Sequence, residues 1–173
     1  LQQFDDQLRR VEQVPQVNQT NDFKRKAFEM LTSRNSPNNA WRAFDLDEES
    51  DQIRDRYGRF LYGEASLIAR RLVQNGVRLV TIYWESFDKR DGDAPAWDTH
   101  QNHFEIVKNY RAPVVDQIFT ALCEDMEASG LLDETLLVVM GEMGRTPKPN
   151  KNAGRDHWSY CYDVLFTGAG IKQ

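Results

Sequence analysis

The histidines of this chain are concentrated in segments that also carry acidic or guanidinium side chains. All three, at positions 100, 103 and 157, fall within the segments 97–103 (WDTHQNH) and 154–158 (GRDHW), and a third polar segment, 141–146 (GEMGRT), adds Glu142 and Arg145. Each segment stands next to a predicted strand or helix. Ligand sites of open α/β sheets gather beyond the carboxyl ends of strands. The sequence therefore favours one site built from three loops.

Two of these segments supply metal-ligand side chains. Asp98 and His100 are two residues apart, so in extended backbone they project to the same side. His157 offers a second imidazole, and Asp156 is a candidate ligand or a residue that orients one. Carboxylate and imidazole donors without thiolates suit zinc, manganese or iron better than magnesium or calcium.

The middle segment adds a carboxylate and a guanidinium. Glu142 leaves a predicted buried strand in a turn flanked by glycines, where the backbone can approach a ligand closely. Arg145 is a planar fork that suits a phosphate, sulfate or carboxylate. An internal salt bridge between the two residues is the purely structural alternative.

The other site candidates also have structural alternatives. Asp98 could cap the helix that follows it. His103, at the start of that helix, fits a surface or supporting position better than a ligand position. Asp156 and His157 could form a satisfied polar pair beneath Trp158. The placement of all these residues at strand ends nevertheless favours a site.

Composition narrows the functional classes. The 173 residues are 40% hydrophobic and 28% charged, with a net charge of -5, which argues against broad nucleic-acid binding. No apolar run approaches the roughly 20 residues of a transmembrane helix. Two cysteines, Cys123 and Cys161, are too few for a disulfide scaffold and leave the redox compartment open.

The periodicity of apolar residues predicts an α/β fold. Spacings of three to four predict helices over 4–11, 23–31, 48–57, 60–74 and 103–128, the last divided or kinked by Pro113. Strands are predicted over 77–84, 135–140 and 163–167, and a polar loop covers 85–97. The apolar run at 135–140 is typical of a strand covered on both faces.

These elements predict a three-layer α/β/α sandwich with a mostly parallel sheet. Residues 1–56 form a helical excursion and residues 57–173 the α/β portion of a single partial domain. The chain begins without an initiator Met and ends just after a strand-like run. We therefore expect a fragment of a longer protein.

Five ordered motifs resemble one bacterial family. They are ARRLVQNGVR (69–78), WDTH (97–100), GLLDET (130–135), GEMGRTP (141–147) and GRDHW (154–158). Together they look like the DUF1501 family, which is abundant in planctomycetes and related to the alkaline phosphatase and sulfatase superfamily. The motifs extend from about residue 57 to residue 172.

The resemblance implies an alkaline-phosphatase-like sandwich in an exported parent protein, located outside the cytoplasm. In that superfamily two metal ions lie at strand ends, and a Ser, Thr or Cys attacks phosphorus or sulfur. One metal is held by an Asp and a His from one loop and by a later His. The other takes an early Asp, the nucleophile and an Asp-His pair.

Position by position, Asp98, His100 and His157 resemble the ligands of the first metal, and Glu142 resembles the acid of the Asp-His pair. The usual Asp-x-x-x-His spacing is here Asp98-x-His100, unless His103 serves instead. In place of the Asp-His pair stands Glu142 followed by a Met, a poor ligand for a hard metal. One of the two metal sites is therefore in doubt.

The resemblance thus implies part of an exported metal-dependent hydrolase of small phosphate or sulfate esters, with one or two zinc, manganese or iron ions. Arg145 would hold a non-bridging oxygen of the substrate. The early Asp and the nucleophile would lie upstream of Leu1, so this fragment alone should be inactive. The alternative is a catalytically degenerate binding or cell-envelope interaction module, and the plainest possibility is that the polar segments only brace the strand ends.

Overall fold

A computed structural model describes Lys24 and residues 40–84, 97–160 and 162–171. Several sequence predictions fall outside the described residues. They are the helix over 4–11, the helix over 23–31 except for the helical Lys24, the loop 85–97 except for its last residue, and Cys161. The chain divides into two compact units, Leu1–Asp45 and Leu46–Gln173. The first contains a 3-10 helix, Ala40–Phe44, in which the rings of Trp41 and Phe44 are 5.9 Å apart.

The second unit begins with a 3-10 turn, Leu46–Glu48, followed by helices α1 (Asp51–Tyr57) and α2 (Leu61–Gln74). The hydroxyl of Ser50 accepts a hydrogen bond from the amide of Ile53 and caps α1. These bounds confirm the helices predicted over 48–57 and 60–74 to within three residues.

The predicted helix over 103–128 is continuous but not uniform. It consists of α3 (His103–Ile106), a π-helical turn (Val107–Arg111) and α4 (Ala112–Ala128). Pro113, near the start of α4, has no N–H, and its ring crowds the carbonyl four residues earlier. The widened π-helical turn just before it accommodates that ring without ending the helix.

The core of this unit lies where α1, α2 and α4 pack together. Tyr57, Leu67 and Ala121 are almost fully buried there. Gly63 allows α2 to approach the end of α1 closely, because a Cβ at this position would lie 2.2 Å from the carbonyl oxygen of Gly58. The arrangement follows from the apolar stripes that predicted the helices.

The strands β1 (Leu136–Met140) and β2 (Val164–Gly168) pair in antiparallel fashion, from Leu136 opposite Gly168 to Met140 opposite Val164. Both strands were predicted. A strand covered on both faces was predicted here, but most side chains of β1 are exposed in the structure, so that prediction is wrong for the part of the chain described. With only this pair described, the parallel three-layer sandwich stays a prediction.

The strand predicted over 77–84 is the main error in the described part of the chain. These residues form no β-ladder in the structure, and Leu79 and Tyr83 are 83% and 73% exposed. A strand is stabilised by its ladder, and the described residues offer this segment no partner strand, although Trp84 at its end stacks on Tyr62 of α2. None of the described helices is long and apolar enough to cross a membrane.

Candidate metal centre

Three loops of the second unit are joined through backbone hydrogen bonds. We call them the first loop (97–103), the second loop (141–146) and the third loop (150–158). The backbone of the third loop is hydrogen-bonded to both of the others. The joining bonds are Arg155 N to Thr99 O (3.0 Å), His103 N to Ala153 O (2.9 Å), Thr146 N to Asp156 O (2.9 Å) and Trp158 N to Gly144 O (2.8 Å). The polar segments of the sequence therefore meet in space.

The first and third loops bring one carboxylate and two imidazoles together. Asp98 Oδ1 lies 3.0 Å from His100 Nε2 and 2.8 Å from His157 Nε2. The three atoms lie within 4.8 Å of one another, and the imidazole rings are 5.0 Å apart. All three side chains are 46–49% exposed, so the group is open to solvent.

The remaining predicted site residues surround this group. Arg145 Nη1 contacts Asp98 Oδ1 from the second loop. Asp156 Oδ1 lies 2.8 Å from His100 Nδ1, on the side of the ring opposite Asp98. Glu142 is not brought into the group, since its carboxylate is exposed and lies 3.7 Å from Arg145 Nη2.

These contacts shift the pKa values of the centre. At Asp98, burial opposes ionisation, but hydrogen bonds from Arg145 and His157 outweigh it and lower the pKa to about 2. The hydrogen bond with Asp156, aided by the charge of Asp98, raises the pKa of His100. The hydrogen bonds of Asp156 with His100 and Asn150 lower the pKa of that carboxyl in turn. The centre thus favours ionised carboxylates beside a basic imidazole.

Asn150 is a supporting residue that the sequence interpretation missed. Its Oδ1 accepts hydrogen bonds from the amides of Asn152 (2.9 Å) and Gly154 (3.0 Å). Its Nδ2 donates to the carbonyl of His100 and to Asp156 Oδ1, both at 3.0 Å. The available signal was an Asn at the head of a short loop that ends in Gly, which is typical of a side-chain-stabilised turn.

Gly154 is the second supporting residue. A Cβ on Gly154 would lie 1.9 Å from the carbonyl carbon and oxygen of His100, so only glycine permits this approach of the third loop to the first. Gly154 is the first residue of the GRDHW motif (154–158), but the sequence does not show which backbone segment it approaches.

His103 does not join the three-residue group. Its Nδ1 lies 2.5 Å from Thr99 Oγ1, and Thr99 is only 2% exposed. Burial, together with the charges of Arg155 and Arg145, lowers the pKa of His103 and favours the neutral ring, which can accept the hydroxyl proton. Between the two histidines left open by the sequence, the geometry therefore favours His100 as the ligand.

The capping alternative for Asp98 is wrong. The helix begins at His103, and the residue at its cap position is Asn102, which adopts a left-handed conformation and makes no side-chain cap hydrogen bond. Asp98 lies four residues earlier, and its carboxylate contacts side chains of the other two loops. Asp98 therefore links the three loops instead of capping the helix.

Aromatic packing anchors the first loop next to Asp98. The ring of Trp97 meets Trp84 edge-on at 5.6 Å, and the guanidinium of Arg111 lies over the Trp97 ring at 5.8 Å. Trp84 in turn stacks on Tyr62 of α2 at 4.5 Å. The loop that supplies Asp98 and His100 is thereby fixed to α2 and to the π-helical turn.

The donor set fits a divalent transition metal or zinc. One carboxylate and two imidazoles, with the remaining positions open, is a frequent arrangement in catalytic zinc and iron sites. The separations of 2.8 and 3.0 Å between Asp98 Oδ1 and the two Nε2 atoms are close to the edge of about 3.3 Å in a tetrahedral site with 2.0–2.1 Å bonds. Asp156 orients His100 through Nδ1, as carboxylates commonly do for metal-bound histidines.

No curated protein and no solved structure matches this chain. One family model does, described as "Protein of unknown function (DUF1501)", and it matches residues 1–173. The match includes the three loops of the candidate centre and confirms the resemblance to the DUF1501 family that was drawn from the sequence motifs. The chain is therefore a member of the DUF1501 family.

Proposed function

We propose that this chain is part of a metal-dependent hydrolase acting on small phosphate or sulfate esters. The observation that carries the proposal is the convergence of Asp98 Oδ1, His100 Nε2 and His157 Nε2 at an exposed place, with Arg145 beside them. Zinc, manganese or iron fits these donors. When bound, such an ion would polarise the ester and stabilise the charge that develops on the transferred group.

Each side chain of the candidate centre has a separate role in this proposal. Asp98, ionised at neutral pH, supplies the anionic ligand, and His100 and His157 supply imidazole nitrogens. Asp156 holds the His100 ring in one orientation. Arg145, which contacts Asp98, would hold a non-bridging ester oxygen.

The nucleophile is not assigned within the described residues. Thr99 lies between two ligands, but its hydroxyl is buried against His103 and cannot meet a substrate in this conformation. By the resemblance, the nucleophile comes from a part of the protein upstream of Leu1. The proposal also includes a three-layer sandwich and a location outside the cytoplasm, both supported by the superfamily resemblance alone.

A catalytically degenerate binding or cell-envelope module is the second candidate. It is favoured by Glu142 and Met143, which stand where the resemblance expects an Asp-His pair. In the structure Glu142 faces Arg145, and the described residues contain a single three-residue metal-ligand group. A centre for one ion could bind a ligand without turning it over.

Turnover by the intact protein separates the two candidates. Aryl phosphates and aryl sulfates are assayed after loading with zinc, manganese or iron. We expect hydrolysis that falls to background in His157→Ala and persists in Tyr160→Ala, which removes an exposed side chain three residues away. Tight metal binding without turnover would support the binding module. Undiminished hydrolysis in His157→Ala would contradict the assigned site.

A further inference from the structure

One carboxylate oxygen in the candidate centre has more partners than it can serve together with a metal ion. Asp98 Oδ1 faces Arg145 Nη1, His100 Nε2 and His157 Nε2 at once. A carboxylate oxygen has two lone pairs in the carboxylate plane. The two imidazoles have ring nitrogens that can serve as metal ligands, but a guanidinium has no acceptor atom and cannot.

We infer that Arg145 and the divalent cation compete for Asp98 Oδ1, and that cation binding releases the Arg145 guanidinium to bind an oxyanion. The inference rests on the proposed metal site. In the described structure the guanidinium occupies the cationic position beside Asp98. The metal and the anion sites are thereby coupled through one side chain.

The surroundings of Arg145 allow such an exchange. The side chain is 14% exposed, and its contacts other than Asp98 are weak, with Glu142 at 3.7 Å and the carbonyl of Arg155 at 3.4 Å. Glu142 itself is 66% exposed, so its carboxylate is screened by solvent and holds the guanidinium only weakly. A guanidinium that leaves Asp98 therefore finds no competing strong acceptor among these neighbours.

Charge favours an anion as the next partner. A divalent cation and Arg145 together carry one positive charge more than Asp98 and Asp156, the two carboxylates in contact with the imidazoles. An oxyanion such as a phosphate or sulfate group would offset this excess positive charge and match the planar fork of Arg145. Because linkage is reciprocal, an oxyanion that needs a free Arg145 must also tighten cation binding.

The test is a calorimetric titration of the intact protein with Zn²⁺, comparing wild type with Arg145→Met. Removing the competitor should tighten zinc binding about tenfold, the effect of losing one charge-assisted hydrogen bond of typical strength. Arg59→Met is the matched control, because it removes one guanidinium paired with Asp51 and Asp55. Arg145→Lys keeps the positive charge and should remain near wild type.

A second titration measures the coupling. Zinc binding is repeated with sulfate as the probe anion and with chloride at equal ionic strength. Sulfate should tighten zinc binding in wild type and have a smaller effect in Arg145→Met, with thermal unfolding of both proteins recorded to confirm folding.

The outcomes distinguish this inference from the proposed function. Equal zinc affinity in wild type and Arg145→Met, or weaker binding in the variant, overturns the competition while leaving the metal site in place. An equal sulfate effect in both proteins overturns the coupling. Absence of zinc binding in wild type and variant alike overturns the proposed metal centre itself.

Discussion

Two of the charged clusters among the described residues differ in how their charges are paired. In the buried cluster, Arg70 pairs with Glu49 and Asp125, each at 3.0 Å, and Arg71 pairs with Glu48 and Glu49. Both arginine side chains are only 8% exposed. This cluster joins the Leu46–Glu48 turn, α2 and α4.

The candidate metal centre has the opposite arrangement. Its carboxylates and imidazoles are about half exposed, and three partners converge on the single oxygen Asp98 Oδ1. In the buried cluster the partners are spread over several carboxylate oxygens. Buried, distributed pairing holds elements together, whereas exposed convergence on one atom leaves a position that a cation can take.

The largest expected effect is a loss of unfolding free energy when the buried cluster is broken. Arg70→Met leaves Glu49 and Asp125 buried without this partner, and breaking a buried pair costs about 3–5 kcal/mol of unfolding free energy. Urea unfolding measures the change. Arg59→Met, which breaks exposed pairs, should cost about 1 kcal/mol or less. Similar losses in the two variants would contradict the contrast between buried and exposed charges.

A smaller effect, a loss of zinc affinity, is expected when the close backbone approach that supports the metal centre is disturbed. Gly154→Ala places a Cβ against the carbonyl of His100, so the first and third loops must separate. We expect zinc affinity to fall about tenfold or more, as for other changes in groups that orient ligands. Gly141→Ala is the matched control, because Gly141, like Gly154, does not have a positive φ and a Cβ there would meet no atom closer than 3.7 Å. Unchanged zinc affinity in Gly154→Ala would show that loop spacing does not position the ligands.

The smallest expected effect is the acid dependence contributed by Asp98. Because folding lowers its pKa from 3.8 to about 2, its contribution to stability is complete above pH 3.8 and is lost as the pH falls towards 2. The side chain is exposed, so the contribution should be about 1 kcal/mol or less. Urea unfolding across this range should show a shallower acid loss for Asp98→Asn than for wild type. An identical pH profile would mean that the Arg145 and His157 contacts do not persist in solution.

Much of the helical part could be predicted from the sequence, because apolar spacing determines which helix faces are buried. The stripe with Leu67 and the stop at Asn75 and Gly76 identify α2 almost to the residue. The conformation of residues 77–84 could not be predicted in this way, and the strand predicted there is wrong. The β-branched composition of this segment indicates a strand only where a partner ladder is present, and the described residues supply none.

The site residues were predicted by type, but their pairing was not. Asp98, His100 and His157 stood out because histidines are few in this chain and lie near carboxylates. The sequence could not show that Glu142 lies apart from them, since one or two residues of turn geometry decide where a side chain points. Asn150 was missed for the same reason, because its role depends on a hydrogen bond to a carbonyl 50 positions away.

The most direct test of the metal centre is elemental analysis of the intact protein, wild type beside His100→Ala. The three-residue group predicts about one equivalent of zinc, manganese or iron in the wild type at this centre, lost in the variant. His103→Ala is the matched control, since His103 contacts Thr99 and lies outside the group. Metal content that is unchanged in His100→Ala, or no metal in the wild type even after reconstitution, would contradict the assignment of Asp98, His100 and His157 as ligands.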